Sequence, residues 1–173
     1  MQMVRSGIGY DSHRFGAGGP LLLGGVLIPG ERHLVGHSDA DAVCHAITDA
    51  LLGAAALGDI GELFPDTDAS NAGRDSIDML ERAASLVRER GYRLINVDVT
   101  VVAQQPKIGP HRPAMRARIS AALGLPMEDV FVKGKTNEGL GWIGREEGLA
   151  VIAVASIAPA VDRSAVDRSG SRA

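Results

Sequence analysis

Asp11 and His13 in the string GYDSHRF, and His37, Ser38 and His45 in GHSDADAVCH, are the residues near the start of the chain whose types and spacing suit chemistry. An extended strand sends alternate side chains to opposite sides, so Asp11 and His13 face one way while Tyr10 and Ser12 face the other. His45 lies in a helical pattern. Asp41, His45 and Asp49 stack as a polar stripe, and Val43, Ile47, Ala50, Leu51 and Ala54 supply an apolar one. Taken together, Asp11, His13 and His45 form a set of two histidines and one carboxylate. Three protein ligands leave a fourth position open, as in a catalytic rather than a structural zinc site. Such an ion polarises a phosphoryl or carbonyl oxygen or activates water, and spacing alone does not choose between these uses. Each part also has a plainer reading. D-x-H after a strand is commonly an ordinary loop pair, a lone helical histidine is commonly structural, and Ser38 with Asp41 fits a capping box opening a helix.

Further on, GDIGELFPDTD sets Asp59, Glu62, Asp66 and Asp68 among glycines. Glycines let the backbone approach a ligand, and carboxylates accept ribose hydroxyls or hold metal-bound water, although solvated loops share this composition. The loop QQPKIGP offers Lys107 as a cation. Lys135, Thr136 and Glu138 in KGKTNEG are types that contact phosphate oxygens or a harder divalent cation such as magnesium. Two cations and several Gly-rich loops point towards a diphosphate substrate.

The elements that must position these residues follow from periodicity. A strand is expected over 3–15, and LLLGGVLIP reads as two short strands broken at Gly24 and Gly25. Helices are expected over 38–56, where the Gly58 turn stops the first, over 75–90 and over 111–123, with a strand over 96–103 and a short one in VFVK. The run GLAVIAVASIA, 148–158, is continuously apolar and is expected to be a strand buried on both faces. The order predicts an α+β domain over 1–158, with helices packed on one face of a small mixed β-sheet and self-association covering the other. The tail 159–173 repeats VDRS without an apolar anchor and is expected to be disordered.

Composition narrows the class. In 173 residues the hydrophobic fraction is 45% but aromatics reach only 3%, so the core is built from small aliphatic side chains. A net charge of −3, with no basic cluster, argues against a nucleic-acid surface. Cys44 is the single cysteine, which excludes an intramolecular disulfide and a cysteine zinc cage and favours plain packing. No run approaches a membrane span and no signal pattern opens the chain, so a soluble, cytoplasmic protein is expected.

GYDSHRF, LLLGGVLIP, GHSDADAVCHAITDALLGAAALGDIGELFPDTD, NVDVT, AQQPK and TNEGLGWIGREEG together closely resemble the 2-C-methyl-D-erythritol 2,4-cyclodiphosphate synthase family of the non-mevalonate isoprenoid pathway. The resemblance covers about residues 5–158. It implies a homotrimer whose sheets face the three-fold axis and whose active sites lie between subunits. The implied reaction is attack of the 2-phosphate of 4-diphosphocytidyl-2-C-methyl-D-erythritol 2-phosphate on its own β-phosphorus, releasing CMP. Carried over by motif, Asp11, His13 and His45 hold zinc, and Glu138 holds magnesium or manganese. Ser12, His37 and Ser38 lie with the substrate, and His37 and Thr136 steady the transition state. Asp59, Ile60 and Gly61 meet the ribose, while Phe64, Pro65, Asp66, Thr67 and Asp68 meet the methylerythritol. Ala103, Gln104, Gln105, Pro106, Lys107, Ile108 and Gly109 surround the cytosine, with Lys135 and Asn137 near the phosphates. Two departures stand out: Lys135 replaces a common threonine, and Trp142 a common phenylalanine. Trp142 and Arg145 match the segment lining the trimer axis, where some members bind an isoprenoid diphosphate. From the length of the sequence, a chain without the cytidylyltransferase to which other members are fused is expected. Two other readings share the metal ligands, a zinc-dependent nucleotide-diphosphate phosphohydrolase and a non-catalytic trimeric metal-binding module.

Overall fold

Strand β1 (Arg5–Ala17) carries the D-x-H string and is the hub of the sheet. It pairs antiparallel with β4 (Arg32–Leu34) on one side and with β7 (Gly148–Pro159) on the other. Beyond β7 come β5 (Tyr92–Val102), antiparallel to it, and β6 (Val130–Lys135), parallel to β5, so the five-stranded order is β4-β1-β7-β5-β6. The parallel pair is joined through α4 (Arg112–Leu123), because a parallel neighbour needs a crossover. Strands β2 (Leu21–Leu23) and β3 (Val26–Ile28) form a separate hairpin. Helix α1 (Ala42–Ala55) lies on β1 and β7, α3 (Ser76–Glu89) on β5 and α1, and α4 on β6 and α3. This is the mixed sheet with helices on one face that the element order predicts. The computed structural model describes residues 3–160, so the expectation of disorder in the tail lies outside the described residues from 161 onward.

Alternation decides which side of the sheet is covered. Val97, Val99, Val101, Val130, Val132, Val151, Ala153, Ala155 and Ile157 turn towards the helices and are buried. Ile8 and Tyr10 on β1, and Ile152 and Val154 on β7, turn the other way; Ile8 pairs with Val154 and Tyr10 with Ile152. They are 70%, 57%, 40% and 39% exposed. The expectation that β7 is buried on both faces therefore needs correction for the single chain. A continuous apolar strand shows that both faces avoid water without showing whether the cover comes from the same chain.

The start of α1 also differs from the capping box expected at Ser38. The helix begins at Ala42, and the fully buried Asp41 caps it, accepting from the backbone N–H groups of Val43 and Cys44, both at 3.1 Å. The same carboxylate accepts from the N–H groups of Gly24 at 2.8 Å and Gly25 at 2.6 Å in the β2–β3 turn. Both glycines have positive φ, 59° and 70°, as a tight hairpin turn requires. Asp41 outcompetes Ser38 because its two oxygens serve two sets of donors at once. The far end of α1 is closed by Ala56 in a left-handed conformation rather than by Gly58. Two further helices escape the periodicity argument, α2 (Ile60–Leu63) and α5 (Gly141–Gly144); each is a single turn, too short to show a period.

The approach of α1 to β1 depends on Gly7 and Gly9. A Cβ on Gly9 would lie 1.9 Å from the Ala46 carbonyl oxygen, and one on Gly7 would lie 2.1 Å from that of Ala50. Backbone packs on backbone here, and neither side can yield by turning a side chain. Gly9→Ala is expected to destabilise the fold by about 3 kcal/mol or more, the upper range for overpacking, measured as a lowered urea midpoint. An unchanged midpoint would show that the helix can rise off the sheet freely.

Candidate active site

The intimate seating of α1 brings His45 over β1. Its Nδ1 lies 3.0 Å from Asp11 Oδ2, and His13 Nε2 lies 3.0 Å from the same oxygen. The two rings are tilted by 56° with centroids 5.6 Å apart, and one donor atom from each of the three residues falls within 4.8 Å of the others. His13 Nδ1 lies 2.8 Å from the Val35 carbonyl, which can only accept, so this nitrogen carries the proton and Nε2 turns into the cluster. Gly36 makes room for that ring, since a Cβ there would meet His13 Cε1 at 2.9 Å.

His13 Nε2 is buried and, despite its nearness to Asp11, makes no hydrogen bond of workable angle. A buried polar atom without a partner is costly, and a cation between the three donors would satisfy it. The donor set therefore fits a borderline divalent ion with a position left for substrate or water. Burial works against charge on Asp11, but the adjacent His13 and His45 rings outweigh it and hold the carboxyl well below its ordinary range. Burial also works against charge on His13, yet the adjacent Asp11 and the Val35 carbonyl raise its pKa. A metal would compete with that proton, so affinity is expected to rise with pH.

The cluster stands in a cleft of about 430 Å³ lined also by His37, Ser38, Ile60, Gly61, Phe64, Pro65, Asp66 and Thr67. Asn71 and Met79 complete the lining and were not singled out by the sequence argument. Arg74 explains part of this wall. Its guanidinium lies 4.8 Å from the Phe64 ring centroid and donates to Asn71 at 3.1 Å. Asp59 caps α2 and Asp68 caps the turn at 69–71, so both carboxylates shape the wall through backbone N–H groups.

A second hollow of about 150 Å³ is lined by Ala103, Pro106, Lys107, Ile108, Gly109, Lys135 and Thr136, together with Gly134 and Arg112. It shares no lining residue with the metal cleft. Gln104 accepts from the Asn137 N–H at 2.8 Å, tying the two loops of this hollow together. Glu138 is exposed and accepts from the Thr136 hydroxyl at 2.6 Å. Gln105, Trp142 and Arg145 are exposed elsewhere, with Arg145 paired to Glu147 at 2.6 Å, and Ser12 is exposed on a strand position alternate to Asp11 and His13. Within one chain most of the expected site residues thus fall into two separate groups, with Ser12, Gln105, Trp142 and Arg145 outside both.

Asp49, one turn beyond His45, accepts from the Ile60 N–H at 2.8 Å and ties α1 to α2. Burial is the main reason its pKa is raised, with Asp59 adding repulsion and the Ile60 hydrogen bond opposing both. A carboxyl whose folded pKa lies above its unfolded value costs stability when ionised, fully above the folded pKa and not at all below the unfolded one. Asp49→Asn keeps the acceptor and is expected to raise the urea midpoint at pH 7, with the gap closing as pH falls towards about 3.9. A gap independent of pH would contradict this.

Fold and cluster define an α+β protein with an Asp-His-His cluster suited to a metal ion between the first strand and the first long helix. The chain belongs to the YgbB family, whose profile matches residues 4–158. It is 68% identical over 155 residues, 90% of this chain and 93% of the relative, to the 2-C-methyl-D-erythritol 2,4-cyclodiphosphate synthase of Gemmatimonas aurantiaca. Among solved structures, the bifunctional IspDF of Campylobacter jejuni is similar with a TM-score of 0.89 and 45% identity, over 92% of this chain; the chain spans 43% of that longer protein. A Plasmodium falciparum IspF in complex with CDP is similar with a TM-score of 0.80 and 36% identity, over 91% of this chain and 97% of the other. No helix among the described residues is long and apolar enough to cross a membrane.

Proposed function

We infer that the chain converts 4-diphosphocytidyl-2-C-methyl-D-erythritol 2-phosphate to 2-C-methyl-D-erythritol 2,4-cyclodiphosphate and CMP, in the cytoplasmic non-mevalonate route to isoprenoids. The observation that carries this reading is the Asp11-His13-His45 cluster, opening on a cleft in a chain 68% identical to a synthase of that product. A 2-phosphate oxygen attacks the β-phosphorus, a new P–O bond closes the ring, and the bond to the CMP oxygen breaks. Nucleophile and leaving group belong to one molecule, so the protein must fold the substrate in line rather than supply a strong base.

Asp11, His13 and His45 would hold zinc, and Glu138 magnesium or manganese; when bound, such ions would neutralise charge on the phosphoryl oxygens as Lewis acids. Glu138 is a single exposed carboxylate, which suits a cation that keeps much of its water and takes the rest of its ligands from phosphates. His37 and Ser38 line the metal cleft and donate to substrate oxygens there, while Thr136, whose hydroxyl donates to Glu138 in the free chain, meets the substrate from the second hollow. The segment 59–68 receives the sugar parts, and 103–109 the cytosine. Lys135 lines the same hollow as Lys107 and Arg112, and gives it positive charge.

The two groups meet when three chains assemble with their open sheet faces around a common axis, so that the hollow of one completes the cleft of its neighbour. The exposed apolar Ile8, Tyr10, Ile152 and Val154 support this assembly. Arg145, beside the exposed Trp142, is then available to an isoprenoid diphosphate on that axis. Incubation with the cytidylyl substrate, with and without chelator, tests the reading. Metal-dependent CMP release with a cyclic diphosphate in the phosphorus NMR spectrum is expected. A linear diphosphate or inorganic phosphate would instead identify a hydrolase.

A further inference from the structure

His45 presents Nδ1 to Asp11 and turns its other nitrogen, Nε2, away from the cleft towards two hydroxyls. Ser76 Oγ lies 2.8 Å from it and Ser38 Oγ 3.0 Å. The two serines are not equivalent. Ser76 is fully buried at the first position of α3, and its hydroxyl donates to Asp39 in a short hydrogen bond. Asp39 is itself fixed, accepting from the Ser76 N–H at 2.9 Å and from the Asp41 N–H at 3.1 Å. A hydroxyl has one proton. With that proton directed to Asp39, Ser76 can offer His45 only a lone pair, so the hydrogen bond between them runs from His45 Nε2–H to Ser76 Oγ. Nδ1 is then the nitrogen that keeps its lone pair for the metal.

We propose that Ser76 and Asp39 are positioning residues for the metal centre, forming a His45–Ser76–Asp39 relay that fixes the ring's tautomer and orientation. The relay is a carboxylate–histidine–metal arrangement with a hydroxyl interposed, and partners of this type set ligand basicity and aim. It also assigns different work to Ser38. Ser38 lines the cleft, where Ser76 is absent, and Ser76 already takes the His45 proton. The Ser38 hydroxyl accepts from the Ala40 N–H at 3.2 Å, and its own proton remains free to be given to a phosphate oxygen.

This inference rests on the metal reading above, and cobalt(II) separates the two. Cobalt is added to the full-length protein, its affinity is measured by competition with a chromophoric chelator, and its visible absorption spectrum is recorded. Ser76→Ala is expected to lower cobalt affinity by about ten- to a hundredfold and to shift the visible bands, the usual effect of losing an outer partner. Asp39→Asn is expected to act in the same direction, and the double variant to lose no more than Ser76→Ala alone, since one relay is broken only once. Ser38→Ala is expected to keep the wild-type cobalt affinity and spectrum while kcat for CMP release falls. Should Ser76→Ala fail to fold, Asp39→Asn carries the test, because it leaves every Ser76 atom in place. Wild-type affinity and spectrum in the relay variants would overturn the proposal, as would an equal loss of affinity in Ser38→Ala. Failure of the wild-type protein to take up cobalt would overturn the metal reading itself.

Discussion

Replacing His45 by alanine is expected to lower the rate of CMP release by about a thousandfold or more while leaving a folded chain. A Lewis-acid cation contributes several kcal/mol to a phosphoryl transition state, and each 1.36 kcal/mol corresponds to about a factor of ten in rate. The side chain is only partly buried, and the helix that carries it is held by other groups: Ile47, Leu51 and Ala54 in the core and Asp41 at its first turn. Its hydrogen bond to Ser76 is worth about 1 kcal/mol to stability, too little to unfold the domain. Steady-state rates and circular dichroism on the same preparation check both halves. Undiminished CMP release would remove the cluster from the mechanism, and loss of the native spectrum would identify a structural metal.

Ile152→Asp is expected to abolish turnover by a different route. Ile152 sits in the middle of the open sheet face, directly across from Tyr10 and beside the Ile8–Val154 pair. Being 40% exposed in the single chain, it contributes modestly to the fold of one subunit. In an assembly that buries this face, a carboxylate there would lose its water without gaining a partner, at a cost of several kcal/mol per subunit. Sedimentation is expected to show monomers, with a native spectrum and no measurable CMP release, because one chain keeps the metal cleft and the second hollow apart. An active monomer would show that a single chain holds a complete site.

The Asp11–His13 half of the cluster is legible in the sequence because its geometry is local, and His45 joins it only through the packing of α1 on β1. Two-residue spacing on a strand puts Asp11 beside His13, and a strong helix pattern carries His45. The sheet with helices on one face was legible for the same reason. What escaped depends on residues far apart in the chain. Ser76 and Asp39 reach His45 only after α3 packs on α1, and an Asp-Ser step before a helix reads simply as a cap, the role Asp75 fulfils. Ser38 and Asp41 both suit the opening of α1, and the choice fell to Asp41 through the turn glycines Gly24 and Gly25, whose N–H groups no helix rule counts. The role of Gly7 and Gly9 is not legible, because a glycine in a strand signals close approach without naming what approaches. The two faces of β7 were misjudged because hydrophobicity records avoidance of water and not the identity of the neighbour.

The buried Asp41 carboxylate has an effect beyond capping. It joins the turn of the β2–β3 hairpin to the helical turn that ends at His45, whose own N–H bonds the Asp41 carbonyl at 3.0 Å. Opening the hairpin would withdraw two donors from that carboxylate and weaken the start of α1, so the two segments are expected to open together. The position of His45 in the cluster is thus tied to a hairpin that does not line the cleft, and loosening of its tip would be felt as slack in a side chain one helical turn away.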